Sequence, residues 1–208
     1  SNTFGIYRLR GSVDGTCYFE YCMEGFSFEQ TRYCNAVSYY PLQLSSRNEV
    51  IRLALLDGSL PSLYRTLLNR GIVSAAPGER REVLIEAEDD CGNRSRLRFT
   101  VEGVAEDRDF RARPDTTALP IRHDRTFRYE DDGLQVTIPR GALYESLYGN
   151  FGRSRIPLKR DSTLIVLSPV YRILDPTVPL HKALTASIRT FVPKALHKHV
   201  TLGGRNRK

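Results

Sequence analysis

Residues 84–103 read Leu-Ile-Glu-Ala-Glu-Asp-Asp-Cys-Gly-Asn-Arg-Ser-Arg-Leu-Arg-Phe-Thr-Val-Glu-Gly. Ile85 and Ala87 alternate with Glu86 and Glu88, and Leu97, Phe99 and Val101 alternate with Arg98, Thr100 and Glu102. Side chains on extended backbone point to opposite sides in turn, so strict alternation gives each strand one apolar and one charged face. Between the two runs, Asp89-Asp90-Cys91-Gly92-Asn93 supplies Gly and Asn for the positive-φ positions of a tight turn. The stretch predicts a β-hairpin of the kind that closes an immunoglobulin-like sandwich. It points to a binding or spacer module rather than an active-site scaffold.

The same signals recur on either side. Residues 4–24 predict a first hairpin turning at Val13-Asp14-Gly15-Thr16, with Asp-Gly as the turn signal. Residues 25–40 are rich in aromatics and fit either a loop or a short helix. In residues 47–70 the leucines at 53, 55, 56, 60, 63, 67 and 68 suit two short amphipathic helices broken at Asp57-Gly58 and Pro61, or a partly extended segment within a sandwich. Residues 72–79 predict a strand and a turn at Ala76-Pro77-Gly78-Glu79. Residues 104–125 are charged and poor in core residues, as a linker is. A second strand set follows: Thr126–Glu130, Leu134–Ile138, Leu164–Leu167, Val170–Leu174 and Leu184–Phe191. Residues 145–161, with Gly and Arg, predict an exposed excursion. No internal repeat of fixed period is present. The expected fold is therefore all-β: two immunoglobulin-like or β-sandwich units, residues 1–103 and 126–208, joined by the charged linker 104–125. The chain opens on Ser1 without Met and stops just after a strand, so both ends read as cut and the expectation is a fragment of a longer chain.

The chain has 208 residues and a net charge of +7. The charge is uneven. Residues 1–103 hold 12 Arg, no Lys and 13 Asp or Glu, whereas residues 104–208 hold 19 basic and 11 acidic residues. A basic half suits an anionic polymer such as a cell-wall glycan, although scattered positives also describe an ordinary solvated surface. No nucleic-acid-binding motif accompanies them, so nucleic acid is not an expected partner. No stretch approaches the ~18 apolar residues of a membrane span.

Catalytic signatures are missing. There is no Gly-x-Ser-x-Gly elbow, Walker loop or dinucleotide fingerprint. His197-Lys198-His199 would put two imidazoles on one side of a strand, but a hydrolytic zinc site needs a third protein ligand, and neither His181 nor His123 comes with one. Solvated histidines at a strand end are the expected state. Glu86, Glu88, Asp89 and Asp90 gather near a turn, where a Ca²⁺ site competes with plain solvent-facing strand charge. Cys17, Cys22, Cys34 and Cys91 lack zinc-ribbon or redox spacing and suit either one or two disulfides or small core positions. Tyr39 and Tyr40, and Tyr144 and Tyr148 with Phe151, offer flat apolar faces that can stack on sugar rings or pack in a core. These tyrosines are the candidate ligand contacts. No catalytic, metal or cofactor residue is expected in the chain.

Residues 1–7, Val13-Asp14-Gly15, Glu24-Gly25-Phe26-Ser27-Phe28, Thr31-Arg32-Tyr33-Cys34-Asn35-Ala36, Asn69-Arg70-Gly71-Ile72-Val73 and Asp90-Cys91-Gly92-Asn93 resemble, in that order, the region that follows the catalytic domain in secreted lysostaphin-like (LytM-type) zinc peptidases of Bacteroidetes. Leu134–Leu143, Leu167-Ser168-Pro169-Val170-Tyr171 and Pro179–Leu184 resemble the β-sandwich domain shared by netrin receptors and ankyrins. The peptidase family's His-x-x-x-Asp element is absent here, and His197-Lys198-His199 matches its His-x-His only in letters. The resemblance implies a non-catalytic accessory segment of a periplasmic or cell-envelope peptidoglycan endopeptidase. Such a segment positions or restricts an upstream zinc domain, or binds peptidoglycan or another anionic wall polymer. The competing expectation is an independent envelope adhesion or carbohydrate-binding protein.

Overall fold

The computed structural model describes residues 6–25, 27–46, 48, 50–105, 117–131, 133–154 and 165–203. The chain is all-β and sandwich-like, built from antiparallel sheets with little helix. The first unit is a five-stranded sheet of β1 (Arg8–Val13), β2 (Thr16–Cys22), β3 (Tyr64–Leu67), β4 (Arg80–Glu88) and β5 (Arg94–Glu102), in the order β3-β2-β1-β4-β5. Both predicted hairpins form. Asp14 and Gly15 take positive φ at the β1–β2 turn, and Gly92 does so between β4 and β5. Asp89 fixes that second turn by accepting from the Cys91 and Asn93 amides at 3.0 and 2.8 Å.

The register of the sheet aligns its apolar residues. Leu9 faces Tyr21 and Ala87, Gly11 faces Phe19 and Ile85, and Val13 faces Val83. A bulge between Gly11 and Ser12 leaves Tyr18 as an extra residue of β2, and its ring lies on Gly11. A Cβ at Gly11 would sit 2.7 Å from that ring, so only glycine leaves room for it. Phe19, fully buried, centres a core with Leu9, Tyr18, Tyr21, Val37 and Tyr64.

The second layer over this sheet comes from residues 28–63. A 3-10 turn, Phe28–Tyr33, runs into the short helices α1 (Cys34–Val37) and α2 (Tyr40–Ser46). Next come a Ser38–Ile51 bridge and a 3-10 turn at Pro61–Leu63. The two amphipathic helices of residues 47–70 do not form among the described residues. Asp57-Gly58 and Pro61 interrupt the segment; Leu53 and Leu55 pack on the sheet from irregular backbone and Leu63 from the 3-10 turn, while Leu67 belongs to β3, where the extended alternative is realised. No strand forms at 72–75, but the turn does, with the Glu79 amide on the Ala76 carbonyl at 2.8 Å. All four cysteines are free thiols, so the disulfide alternative is not realised.

The second unit comprises β6 (Leu119–Ile121), β7 (Phe127–Asp131), β8 (Leu134–Ile138), β9 (Leu147–Gly149), β10 (Phe151–Arg153), β11 (Tyr171–Ile173) and β12 (Thr185–Ile188). They form sheets β12-β8-β7, β6-β9 and β10-β11. β8 is central and alternates buried Leu134, Val136 and Ile138 with more exposed Gln135 and Thr137. Phe151 stacks on Phe127 and Tyr129 at 5.4 and 4.8 Å between centroids, which packs β10 against β7. Two sequence boundaries need correcting. The linker ends sooner than expected, because Ile121 is buried in the second core, and the 145–161 excursion holds β9 and β10. Residues 106–116, 155–161 and Leu164 lie outside the described residues, and Ile165 and Val166 are exposed rather than in a strand.

We expect Phe19→Ala to lower stability by about 3–5 kcal/mol, the range for emptying a core aromatic site. Arg96→Ala should cost less than about 1 kcal/mol, because its partner Glu86 is met at the surface. Urea unfolding of the two variants measures the contrast.

Candidate functional site

The most organised polar and aromatic cluster joins the two units. After β8, Pro139 and Gly141 turn the chain, with the Ala142 amide on the Pro139 carbonyl at 3.0 Å and Gly141 at φ 71°. Ala142 and Leu143 are buried in the second core, which fixes where Tyr144 points. The His181 amide donates to the Ala142 carbonyl at 2.9 Å and Leu143 bridges Leu180, so His181 stands beside Tyr144. From the first unit come Arg32 and Tyr33, at the end of the Phe28–Tyr33 turn. Gln30 caps the start of that turn through the Ser27 amide at 2.9 Å.

Tyr144 is 2% exposed. Its hydroxyl donates to the Arg32 carbonyl and lies 3.4 Å from His181 Nδ1. Tyr33 and His181 have ring centroids 4.2 Å apart, and Tyr144 meets both edge-on. Arg32 Nη1 donates to the His181 carbonyl at 3.0 Å. Nearby, Arg52 reaches Glu145 at 3.3 Å while its guanidinium lies 4.6 Å over the Tyr39 ring. The Gly58 amide donates to the Tyr144 carbonyl at 2.7 Å, and a Cβ at Gly58 would lie 2.9 Å from the Leu143 carbonyl oxygen. Burial pushes the Tyr144 phenol up to about 12. Burial first, and then Lys182 and Arg32, hold the His181 imidazole below its ordinary value. The cluster interlocks aromatic rings, a buried phenol and two guanidinium groups from the two units. It can clamp two bodies together.

The four tyrosines read as ligand contacts do not form one platform. Tyr144 is sealed in the junction because its apolar neighbours belong to the second core, which is the physical reason it cannot meet a sugar. Tyr39 and Tyr40 are half-buried in the first unit, with Tyr39 under Arg52. Tyr148, on β9 opposite Pro120, is 60% exposed and keeps a free face. The acidic turn has structural work for its carboxylates. Asp89 caps the turn, held low chiefly by the Asn93 side chain, while Glu86 and Glu88 pair with Arg96 and Arg94 at 2.9 and 3.1 Å. Asp89, Asp90 and Cys91 are the only ligand-type group drawn together among the described residues. His197 and His199 lie in a 3-10 turn, Lys194–His199, and not on a strand. At three residues per turn, positions two apart diverge, and His197 Nε2 meets the Val192 carbonyl instead. These residues do not fit a hydrolytic zinc site.

Sequence reasoning did not foresee Arg32, Tyr33, Arg52, Gly58, Glu145 and His181 as a group. Only Gly58 carried a local sign, as a break in an apolar run. Residues 119–204, the second unit, match the Zu5-like domain family, over less than half of the chain. No curated protein and no solved structure matches the chain. No helix among the described residues is long and apolar enough to cross a membrane.

Gly58→Val should force the two backbones apart at a cost of about 1–3 kcal/mol. Hydrogen exchange should then quicken at Tyr144 and His181 while the β4–β5 amides stay protected. Equal exchange at all these sites would show that the junction is not a separate clamp.

His181 should make the junction acid-sensitive. Its folded-state proton affinity is depressed, so the unfolded chain binds the proton first as pH falls. The stabilisation is complete above the ordinary histidine value of about 6.5 and is lost as pH drops below it toward the depressed folded value. Thermal melting across this range should show a slope that flattens in His181→Gln.

Proposed function

We propose that this chain is a non-catalytic accessory segment of a secreted cell-envelope peptidoglycan endopeptidase. Its two docked units hold a zinc peptidase domain encoded upstream at a set position, or grip the wall for it. The observation that carries this reading is the Tyr144 junction. It turns two β units into one spacer through groups that are all engaged with one another. The dispersal of the ionisable side chains supports the non-catalytic part. In the first unit, carboxylates and guanidinium groups pair along a sheet face: Arg8–Glu20, Glu88–Arg94, Glu86–Arg96 and Glu82–Arg98. The link to a wall peptidase rests on the resemblance of residues 1–103. The positive excess of residues 104–208 suits an anionic wall polymer.

One observation favours the second reading, an independent adhesion or carbohydrate-binding protein of the envelope. Tyr148 presents an open aromatic face beside Pro120, as a sugar-stacking residue does.

Purified chain should leave peptidoglycan intact with or without added zinc. Turnover that depends on zinc and vanishes in a His197→Ala, His199→Ala double variant would overturn the non-catalytic reading. On purified wall, retention should fall as salt rises, since exposed charges are screened over about 8 Å at physiological ionic strength. Retention that ignores salt and disappears in Tyr148→Ala would favour the sugar-stacking alternative.

A further inference from the structure

β5 forms the outer edge of the first sheet, and among the described residues its ladder partner is β4. Eight of its nine residues are exposed. Leu97 and Phe99 stand in register with Ile85 and Val83, on the covered face of the sheet, yet they are 61% and 42% exposed. Among the described residues, the second layer covers β1 to β4 and stops short of β5. A long edge strand with open backbone groups and apolar side chains is a template for pairing with another chain.

The sequence of β5 names the partner, because it complements itself in one antiparallel register. A second copy turned about a twofold axis at Phe99 sets Phe99 opposite Phe99 and Leu97 opposite Val101, all on the apolar face. On the charged face it sets Arg96 opposite Glu102 and Arg98 opposite Thr100. The Arg96–Glu102 pair forms twice by symmetry, and no like charges stand directly opposed, an arrangement that would be destabilising. Sliding the copy two residues toward fuller overlap puts Arg98 opposite Arg98. Sliding it two residues the other way loses the contacts of Leu97 and Arg96. A one-residue slip sets apolar side chains against arginines. We infer that the chain forms a homodimer through antiparallel β5–β5 pairing centred on Phe99, making one ten-stranded sheet from two copies.

The test uses the full chain with Cys91→Ser, which removes the exposed native thiol. Sedimentation should give twice the monomer mass, with a concentration-dependent fall to monomer on dilution. Phe99→Lys, and separately Glu102→Arg, should each weaken the dimer about tenfold or more. Combining Arg96→Glu and Glu102→Arg with Glu86→Arg and Arg80→Glu, which reverses their β4 partners as well, should restore it, because every charge pair is recreated with reversed sign. Residue 99 is exposed, so circular dichroism should show each variant folded. If Phe99→Lys is not folded, an Arg98→Cys chain mixed with a Thr100→Cys chain tests the same register. The mixture should cross-link on mild oxidation, while either chain alone should not, its own thiols lying about 7 Å out of register along the strands. A chain that stays monomeric at high concentration, a dimer indifferent to Phe99→Lys, or a charge swap that fails to restore association would overturn the inference. So would a β5 edge that binds another protein while the chain alone remains monomeric.

Discussion

Gly58 brings the backbone of one unit against the backbone of the other, closer than any side chain would permit. Its amide lies 2.7 Å from the Tyr144 carbonyl. The two hydrophobic cores share no buried residue, so the relation between the halves depends on this approach and on the contacts it admits. Tyr144 is anchored from behind by Ala142 and Leu143 in the second core. Arg32 and Tyr33 are anchored by the helix that follows them, whose Ala36 and Val37 are buried in the first unit. Each side of the clamp is thus held by a packed core, and neither side has to be ordered at the moment of contact. Pre-ordering of this kind removes much of the entropic cost of joining two surfaces.

The ladder of ion pairs across β4 and β5 belongs to a different kind of control. Glu88 meets Arg94, Glu86 meets Arg96, and Glu82 meets Arg98, all near the surface. Exposed pairs add little stability. Their value lies in register. A slip of one residue would carry Leu97 and Phe99 to the charged face and set arginines against Val83 and Ile85. Charge on one face and apolar side chains on the other therefore specify the same pairing twice.

Local patterns were legible in the sequence, and long-range meetings were not. The Asp14-Gly15 and Asp89–Asn93 turns, the alternation in 84–103 and the run Leu134–Ile138 each declare their structure within a few residues, and each forms as read. The leucines of 47–70 suited helices or a partly extended segment, because covering a sheet from irregular backbone also spaces apolar residues three and four apart; only the extended alternative is realised, at Tyr64–Leu67. Ile121 was hidden in a three-residue strand with charged neighbours. Tyr144 read as either a sugar-stacking or a core aromatic, and nothing local decides between the two, because its hydroxyl finds its partner 112 residues away, at Arg32. Spacing along the chain carries no trace of a contact at that distance. The same blindness applied to Leu97 and Phe99. Alternation names a face, while whether anything covers it is decided by how far another segment reaches.

The pairing of β1 with β4 bears on how the chain comes off the ribosome. The β1–β2 hairpin is complete by Cys22, but β1 has its other neighbour only when Arg80–Glu88 emerges. Loop-closing contacts over such separations are slow to form, and unpaired edges are hazardous while they wait. For the span of residues 23 to 79, then, Leu9, Tyr18 and Phe19 have no finished sheet to sit in, and the segment that will cover them is synthesised first. The cover precedes the frame, and the early nascent chain would gain from a chaperone that masks the free edge of β1 until β4 arrives.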